Sequence, residues 1–352
     1  MSNTQKKNVP ELRFPEFEGE WEEKQLGNII KVNSGKDYKH LDKGDIPVYG
    51  TGGYMTSVSE PLSEIDAVGI GRKGTINKPY LLEAPFWTVD TLFYCTPKKE
   101  TDILFILSLF RKINWKVYDE STGVPSLSKQ TINKINRFVP TNKEQQKIGK
   151  FFSKLDRQIE LEEQKLELLQ QQKKGYMQKI FSQELRFKDE NGNDYPDWTN
   201  ERLGEVTTVT MGQSPKSVNY TDNSNDTVLI QGNADIENGL INPRIYTREV
   251  TKLIQKDEII LTVRAPVGKL AMAQINACIG RGVCSIKGDK FLYYFLEWFA
   301  TQNKWIRFSQ GSTFESISGN DIRNIHIKIP VEDERTKIIK LLNSLDVLNS
   351  KT

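Results

Sequence analysis

The stretch KEQQKIGKFFSKLD at residues 143–156 returns in altered form as DERTKIIKLLNSLD at residues 333–346. Both stretches are amphipathic, and the second begins 190 positions after the first. At that offset identical residues align over a longer region: Ser126, Ser128, Ile132, Ile135, Pro140, Glu144, Lys147, Ile148, Lys150, Leu155 and Asp156 fall on Ser316, Ser318, Ile322, Ile325, Pro330, Glu334, Lys337, Ile338, Lys340, Leu345 and Asp346. Repeats this far apart indicate an internal duplication.

A second pair of similar segments marks the openings of the two repeats. ELRFPEFEGEWEEKQLG at 11–27 resembles ELRFKDENGNDYPDWTNERLG at 184–204, and both contain Leu-Arg-Phe, then Trp, then Leu-Gly. Each repeat therefore opens with LRF…W…LG and closes with P…E..KI.K…LD. The sequences in between share little, which favours one scaffold that carries two different recognition surfaces.

Composition sets limits on the class of protein. The 352 residues are 27% charged and 37% hydrophobic, which is ordinary for a globular protein of about two domains. The sequence contains no apolar run of about 18 residues and opens without a signal peptide, so we expect a cytoplasmic protein. Three cysteines without metal-type spacing argue against a disulfide framework and a zinc site. A net charge of +3 permits nucleic-acid binding without indicating it.

The closing stretches predict helices with an apolar seam. Apolar residues from Ile148 onward alternate at intervals of four and three, as in a coiled coil, and a helix of about 40 residues would span roughly 60 Å. A solvated linker helix is the alternative, but the seam needs a partner, and the second copy is the natural one. The sequence ends at Thr352, so we expect the second helix to be half as long. The seam residues are Ile148, Phe152, Leu155, Ile159, Leu166, Leu169, Ile338, Leu342 and Leu345.

The chain divides at these landmarks into four segments. Residues 1–140 and 184–330 form two variable domains, and residues 141–183 and 331–352 form the first and the shortened second spacer helix. Within the variable domains, short β-branched and aromatic runs separated by Gly, Asn, Asp and Pro predict strands and tight turns. An apolar helix follows in each, at 102–113 and 289–306. The expected fold class is α+β, with mixed, mostly antiparallel sheets and an internal repeat.

Several loops combine glycine with cations and small polar residues: VNSGKDYKH (32–40), VYGTGGY (48–54), GIGRKGTINK (69–78), TMGQSP (210–215), TVRAPVGK (262–269) and IGRGV (279–283). Glycine exposes backbone amides, which together with Lys and Arg suit phosphate oxygens, while Arg and Gln can make bidentate contacts with base edges. A plain solvent-exposed turn, or a surface salt bridge for the arginines, is the alternative for each. The DNA-binding candidates are Ser34, Lys36, Tyr38, Lys39, Thr51, Arg72, Lys73, Thr75, Gln213, Ser214, Lys216, Gln231, Asn233, Arg264, Lys269 and Arg281.

Catalytic patterns are missing. The two histidines, His40 and His326, do not form a metal-type pattern, and His326 is better explained as a side chain of an alternating strand. GIGRKGTIN superficially fits G-x-G-x-x-G, but no suitable helix or downstream acidic residue accompanies it. GQSPK does not make a nucleophile elbow. We therefore expect a binding scaffold with no catalytic site, metal or cofactor of its own.

These features together resemble the specificity subunit of Type I restriction–modification systems over nearly the whole chain. The duplicated LRF…W…LG openings, the IPVYGTGG and GRKGTI loops, the TMGQSP turn, the repeated helix starts and the spacer LEEQKLELLQQQKKGYMQKIFSQELRF carry this resemblance.

The resemblance implies an architecture and a set of partners. The variable domains would be target recognition domains, each reading one half of a bipartite site in double-stranded DNA. The spacer helices would pair as an antiparallel coiled coil in a pseudo-twofold arrangement and set the gap. Two methylation subunits, using S-adenosylmethionine, and motor-nuclease subunits, using ATP and Mg²⁺, would dock on this scaffold.

Two other classes of function stay open at this level. An adaptor or DNA mimic would use the same fold without binding DNA, although a mimic should be acidic. A methyltransferase in its own right would need a cofactor-binding glycine-rich unit and an acidic-aromatic catalytic motif. We also hypothesise that the N-terminal segment MSNTQKKNVPELRF packs near the end of the second helix.

Overall fold

The computed structural model describes residues 8–305 and 316–349. The chain divides into two compact units, Met1–Leu161 (unit 1) and Glu162–Thr352 (unit 2). The boundary falls inside one long helix, α4, which runs from Asn142 to Phe181. Among the described helices, none is long and apolar enough to cross a membrane.

Unit 1 combines an antiparallel four-stranded sheet, a three-stranded sheet and a two-stranded pair. Its helices are α1 (Leu26–Ile29), α2 (Ile103–Lys112), α3 (Lys129–Lys134) and the first half of α4, with a 3-10 turn at Trp115–Tyr118. Its strands are β1 (Glu22–Gln25), β2 (Ile30–Ser34), β3 (Ile46–Gly50), β4 (Gly53–Val58), β5 (Ala67–Gly71), β6 (Tyr80–Leu82), β7 (Trp87–Thr88), β8 (Leu92–Pro97) and β9 (Asn136–Val139). The sheet orders are β2-β8-β5-β6, β4-β3-β7 and β1-β9.

Helix α2 supplies much of the core of unit 1. Its N-terminus is capped by Asp102, whose carboxylate accepts a hydrogen bond of 2.9 Å from the backbone N–H of Phe105. The apolar residues Phe105, Ile106 and Phe110 are buried, in one cluster with residues of β2, β5 and β8. The predicted helix at 102–113 is therefore present, as Ile103–Lys112.

Unit 2 repeats this plan, with a five-stranded sheet where unit 1 has a three-stranded sheet and with an additional two-stranded hairpin. Its helices are the second half of α4, α5 (Leu203–Val206), α6 (Lys290–Thr301), α7 (Gly319–Arg323) and α8 (Glu332–Asn349), with 3-10 turns at Ser217–Asn219 and Asn233–Asp235. Its strands are β10 (Thr199–Arg202), β11 (Val209–Met211), β12 (Tyr220–Thr221), β13 (Thr227–Ile230), β14 (Ile236–Glu237), β15 (Leu240–Ile241), β16 (Tyr246–Thr247), β17 (Leu253–Ile254), β18 (Ile259–Thr262), β19 (Leu270–Met272), β20 (Ala277–Ile279), β21 (Val283–Ile286) and β22 (His326–Ile329).

The two units match strand for strand in their common part. The β11-β21-β18-β19 sheet has the order of β2-β8-β5-β6, and the β10-β22 pair corresponds to β1-β9. Most pairs are antiparallel, while β3–β7 and β13–β20 are parallel. The divergent part of unit 2 forms the sheet β12-β16-β13-β20-β17 and the β14-β15 hairpin. The predicted α+β fold with an internal repeat and mixed, mostly antiparallel sheets is thus confirmed.

The duplicated sequence landmarks meet in one interaction in each unit. In unit 1, Nε and Nη2 of Arg13 donate to the two carboxylate oxygens of Glu144 (2.7 and 2.6 Å), and Trp21 Nε1 donates to the same carboxylate (3.2 Å). We call this arrangement the glutamate clamp of unit 1. The Glu144 side chain is almost completely buried, at 1% exposure, so the three donors replace its hydration.

Unit 2 contains the same clamp. Nε and Nη2 of Arg186 donate to the carboxylate of Glu334 at 2.8 Å each, and Trp198 Nε1 donates at 2.9 Å. The hydrogen bond with Glu334 raises the pKa of the Arg186 guanidinium above its ordinary value. The LRF, the Trp and the Glu of the repeated pattern are therefore three parts of a single buried ion-pair site.

The last turns of α4 and helix α8 run in opposite directions within unit 2. Lys173 Nζ lies 2.7 Å from a carboxylate oxygen of Asp346, near the end of α8, whereas Arg186, beyond the end of α4, binds Glu334 at the start of α8. Later residues of the first segment therefore contact earlier residues of α8, as expected for antiparallel packing. Residues of both helices lie in one core cluster with α6.

The predicted seam residues differ in burial along the two helices. Those of α8 are buried in the unit 2 core, Leu166 and Leu169 are half-buried, Ile148 is half-buried against the unit 1 core, and Phe152, Leu155 and Ile159 are exposed. The seam role of the exposed residues stays a prediction. Of the N-terminal segment hypothesised to pack near the second helix, residues 1–7 lie outside the described residues.

The second apolar helix, expected at 289–306, is shorter and ends at Thr301, where Gln302 follows as its C-cap. His326 begins strand β22, where it is exposed while Ile327 is buried, so its explanation as an alternating strand residue is confirmed.

Candidate functional site

In unit 1 the candidate loops meet around one segment, Thr88–Leu92, which we call the hub segment of unit 1. The backbone N–H of Lys36 donates to Thr88 O at 2.8 Å, and that of Gly35 donates to Leu92 O at 3.1 Å. The N–H of Arg72 donates to Thr91 O at 2.8 Å. The predicted loops at 32–40 and 69–78 are therefore fastened to the same short connection between β7 and β8.

The predicted loop at 48–54 joins the same place. Val89 N–H of the hub donates to Tyr49 O at 3.0 Å. Gly35 lies against the hub so closely that a Cβ there would stand 1.9 Å from Val89 O. Only glycine permits this approach without a backbone shift, which explains the glycine in the predicted VNSGKDYKH loop.

Unit 2 has an equivalent hub segment, Ile279–Val283. The N–H of Gln213 donates to Ile279 O at 2.9 Å, and that of Gly212 donates to Val283 O at 3.0 Å. The N–H of Val263 donates to Gly282 O at 2.9 Å. These bonds match the bonds of Lys36, Gly35 and Arg72 in unit 1 one for one.

The close glycine contacts are repeated as well. A Cβ on Gly212 would stand 2.2 Å from Gly280 O, and a Cβ on Gly282 would stand 2.0 Å from Gln231 O. Gly280 N–H donates to Ile230 O at 2.7 Å, which fastens the QGN loop at residues 231–233, and Arg281 N–H donates to Ser214 Oγ at 3.1 Å. The TMGQSP, QGN and IGRGV segments thus form one cluster.

The backbone hydrogen bonds also show which residues correspond in two similar segments, DAVGIGR (66–72) and DEIILTVR (257–264). DAVGIGR and DEIILTVR suggest that Arg72 and Arg264 correspond. In the structure Val263 takes the place of Arg72 on the hub, and Arg264 takes the place of Lys73, because Lys73 bridges Ser126 as Arg264 bridges Ser316. DEIILTVR has one more residue before its arginine than DAVGIGR has, so the two arginines do not correspond.

The side chains at the two hubs are mostly exposed and carry charge. Exposed charged residues around them include Lys36, Arg72, Lys73 and Asp90 in unit 1, and Arg264 and Arg281 in unit 2; Gln213 is also exposed. Arg72 lies with its guanidinium carbon 5.8 Å from the centre of the Phe93 ring. Clustered cations beside exposed amide groups can contact both phosphates and base edges.

The remaining candidates of unit 1 lie at the edges of this cluster. Ser34 ends β2 directly before Gly35, Thr51 is half-buried in the turn between β3 and β4, and Lys39 and Thr75 are exposed in loops. Tyr38 is half-buried and packs against the small apolar cluster of Val48, Val58 and Trp87. The structure gives Tyr38 a packing contact within its own unit.

In unit 2 the loop that contains Gln231 and Asn233 is braced from inside. The buried Asp235 carboxylate accepts hydrogen bonds from the N–H groups of Gln231 (2.8 Å) and Gly232 (3.1 Å). Lys269 Nζ donates to the backbone carbonyls of Asn233 (3.3 Å) and Ile236 (2.6 Å), so its ammonium group holds this loop in place.

The loop after TMGQSP is held by one carboxylate. Glu249 accepts hydrogen bonds from Lys216 N–H (3.1 Å) and Asn219 Nδ2 (2.6 Å). These two bonds lower the pKa of Glu249 below its ordinary value, and the bond from the Lys216 amide has the larger effect. The Lys216 side chain itself is exposed.

The sequence did not reveal the hub segment of unit 1, which includes Thr88 and Asp90. Thr88 is buried, and its hydroxyl has no hydrogen-bond partner among the described residues. Asp90 occupies the position on this hub that Arg281 occupies in unit 2. The hub works through backbone carbonyls, which every residue type has, so no residue pattern could have indicated it.

The side chains that commonly bind metals are dispersed in the described part of the chain. There, no group of three or more His, Cys, Asp and Glu side chains is placed to hold a metal ion. Cys95, Cys278 and Cys284 are free and buried, and burial raises the pKa of the Cys95 and Cys284 thiols.

Comparison with known solved structures supports the fold. The crystal structure of the Type I restriction–modification system S subunit from M. genitalium matches 97% of this chain and 93% of its own with a TM-score of 0.70 at 16% identity. A second solved structure, which concerns the structural basis of complex assembly and conformational transition of the type I R-M system, matches with a TM-score of 0.57 at 19% identity. The match covers 97% of this chain and 93% of that one.

Relatives from Methanocaldococcus jannaschii are similar in sequence. A protein assigned as the MjaX specificity subunit of a type I restriction enzyme is 30% identical over 261 residues, which cover 70% of this chain and 61% of that protein. The MjaVIII specificity subunit is 25% identical over 312 residues, covering 81% and 71%. This chain thus spans less than two thirds of the length of the MjaX relative.

The model of the Type I restriction modification DNA specificity domain matches the chain twice, at residues 18–171 and 195–352. The two matches contain the clamp residues Glu144 and Glu334 and the two hub segments. The chain therefore belongs to the family of Type I restriction–modification specificity subunits and carries two specificity domains.

Proposed function

We propose that each unit of this chain reads one half of a two-part sequence in double-stranded DNA through the loops around its hub segment. One observation carries the proposal: the backbone bonds of the two hubs are the same, but the side chains at matched positions differ. The matched pairs are Lys36 with Gln213, Arg72 with Val263, Lys73 with Arg264, and Asp90 with Arg281. A shared scaffold with different side chains suits two half-sites of different sequence.

The side chains divide by the DNA groups that they can contact. Lys36 and Lys73 are exposed point charges suited to phosphate oxygens. Arg281 and Arg72 can bind guanine O6 and N7 in bidentate fashion, and Gln213 can bind adenine N6 and N7. Asp90 can accept a hydrogen bond from the cytosine amino group, so the two units would favour different base pairs.

The spacer helices would set the distance between the half-sites and dock the partner subunits. Helix α4 is 40 residues long and is the stiffest candidate for this role. In this proposal two methylation subunits bind S-adenosylmethionine and methylate adenine, which must leave the base stack to reach their active site. Motor-nuclease subunits join through the same complex and use ATP and Mg²⁺. The present chain contributes recognition and no catalytic group.

Mapping of adenine methylation tests the proposal. The chain is produced in cells with a cognate methylation subunit, and methylated adenines are located by long-read sequencing. The expected result is a new two-part motif with a fixed gap. An uninterrupted motif, or none from a folded chain in an assembled complex, would overturn it.

Substitutions at the hubs sharpen this experiment. Arg72→Ala should relax one half of the motif and Arg281→Ala the other, with each remaining half unchanged. Lys99→Gln and Lys287→Gln serve as controls, because these exposed lysines follow the ends of β8 and β21 that point away from the hubs. A single arginine substitution that relaxes both halves would contradict the assignment of one unit to each half-site.

A further inference from the structure

A loop that contains none of the DNA-binding candidates lies beside a cation-bearing loop of unit 1. It comprises residues 119–126, which precede helix α3, and we call it the valine loop. Ser126 forms an antiparallel bridge with Lys73, and the backbone N–H of Gly74 donates to Pro125 O at 2.8 Å. The valine loop is therefore fastened directly to one of the loops that meet at the hub segment of unit 1.

A single carboxylate closes the base of the valine loop. Asp119 accepts hydrogen bonds from the backbone N–H groups of Ser121 (3.0 Å) and Ser126 (2.9 Å) and from the Ser121 hydroxyl (2.9 Å). The carbonyl of Ser126 also accepts a hydrogen bond of 3.0 Å from the N–H of Glu120. Because the two arms of the loop are joined in this way, little conformational entropy is lost when a partner binds the residues between them.

The two acidic side chains of the valine loop are both engaged by donors at its base. Asp119 accepts the hydrogen bonds given above, and Glu120 accepts hydrogen bonds from the hydroxyl groups of Ser128, at 2.8 Å, and of Thr131 in α3. The Glu120 carboxylate therefore faces the start of α3. The tip of the loop, residues 122–125, has no charged side chain of its own.

The tip presents an aliphatic side chain in a region of positive charge. Val124 is 57% exposed. Cations lie in the segments that flank the loop: the Arg72 guanidinium carbon and the Lys129 Nζ are 5.8 and 5.9 Å from the centre of the Phe93 ring. An apolar protein surface would remove water from these cations without replacing it. A partner that offers negative charge together with a small apolar group matches this surface better.

Double-stranded DNA offers that combination. Its phosphates carry the negative charge, and the C5-methyl group of thymine is the apolar group that the base edges display in the major groove. The side chain of valine has only apolar atoms, so its contact with this methyl group would distinguish thymine from cytosine. Such a contact complements the polar contacts that Arg72 and Lys73 can make from the neighbouring loop.

We propose that Val124 contacts a thymine methyl group in the half-site that unit 1 reads, and that the valine loop is part of the recognition surface of this unit. The inference rests on the proposed function, because it takes the loops around the hub segment as the face that binds DNA. The neighbouring cations bind phosphates and polar base edges, and Val124 adds a preference for thymine at one position.

Replacement of thymine by uracil in the DNA tests this contact, because the uracil base lacks only the C5-methyl group. The full-length chain, assembled with its cognate methylation subunit, is titrated with duplexes that carry the mapped motif. Each thymine of the motif is replaced in turn, and fluorescence anisotropy gives the affinity. We expect one replacement, in the half of the motif that Arg72→Ala relaxes, to weaken binding about fourfold, as loss of one buried methyl group would.

Matched variants of the chain assign the contact to Val124. Val124→Ala should bind the thymine and uracil duplexes equally well at that position, because the two changes remove the same contact. Ile65→Ala is the control and should keep the fourfold difference. Ile65 is 61% exposed and precedes β5, whereas Arg72 follows β5, so Ile65 lies at the strand end away from the hub. Circular dichroism verifies that each variant is folded.

Three outcomes would overturn the inference. They are a half-site of unit 1 without an A·T pair, a half-site in which no uracil replacement weakens binding, and a sensitivity to uracil that Val124→Ala does not remove. Each of these outcomes presupposes a two-part motif and leaves the proposed function standing. The absence of such a motif would instead refute the proposed function, and this inference with it.

Discussion

Arg186 and Glu334 are joined by two hydrogen bonds of 2.8 Å although 148 positions of the chain separate them. Arg13 and Glu144 form the same pair in unit 1, at 2.7 and 2.6 Å. In both units an indole N–H completes the site. The opening segment of each variable domain is thereby bound to the helix that follows the domain, so the clamp fastens the two ends of the domain to each other.

Glu334→Gln should lower the free energy of unfolding of unit 2 by about 2–3 kcal/mol, because the amide group places two N–H donors against the donors of Arg186 and Trp198. Urea unfolding combined with hydrogen exchange measures this change and assigns it to unit 2. Glu332→Gln, a change of an 80% exposed carboxylate in the same helical turn, is the control. Equal effects of the two substitutions would refute a special role of the clamp.

Lys173→Met should remove a pH-dependent contribution to stability. Burial alone would lower the pKa of Lys173, but Glu297 and Asp346 outweigh it, so the pKa is raised. The contribution of Lys173 to stability is therefore fully present at pH values below the pKa of lysine in the unfolded chain, about 10.4. It is lost as the pH rises through the raised pKa of the folded state.

The measurement for Lys173 is the difference in free energy of unfolding between the original chain and the Lys173→Met variant at several pH values. This difference should stay level from neutral pH to about 10 and shrink at higher pH. The neighbouring exposed Lys174, changed to Met, is the control and should show little difference at any pH. A difference that grows with pH would contradict the ion-pair explanation.

Gly35→Ala should displace the loop from the hub of unit 1 and weaken DNA binding by at least tenfold. The reason is the 1.9 Å separation that a Cβ would have from Val89 O. Gly52→Ala is the matched control in a neighbouring loop, where a Cβ meets nothing within 4 Å. Electrophoretic mobility shift with the mapped DNA site compares them, and similar affinity of both variants would argue against the hub.

The same contrast exists in unit 2. Gly212→Ala brings a Cβ to 2.2 Å from Gly280 O, whereas Gly232→Ala meets no atom within 4 Å. We expect only the former to reduce binding at the half-site of unit 2. Loss of binding in both variants would mean that the loop needs glycine for its flexibility and not for the close approach.

Lys36→Gln and Lys73→Gln should each reduce the salt dependence of DNA binding. If each lysine neutralises one phosphate, the slope of log K against log salt concentration changes by about 0.9 per substitution. Fluorescence anisotropy at several salt concentrations measures the slope, with Lys99→Gln as control. An unchanged slope would show that these lysines do not contact phosphates.

The sequence predicts the scaffold better than it predicts the site. Arg13, Trp21 and Glu144 could be found because all three members of one interaction are written twice. The unit 1 hub could not be found, because its carbonyl groups have no residue signature. Lys269 shows a related difficulty: its spacing beside glycine indicates an anion contact, but only the fold reveals that its ammonium group faces the carbonyls of Asn233 and Ile236.

The strand pairs β1-β9 and β10-β22 have a consequence for how such chains change over generations. Each variable region enters and leaves on neighbouring strands, where Glu22 pairs with Val139 and Thr199 pairs with Ile329. A single recombination between two genes that share these flanking sequences would exchange a whole region and keep the clamp intact. The arrangement allows a complete new variable region to be inherited after one event, without a succession of point mutations.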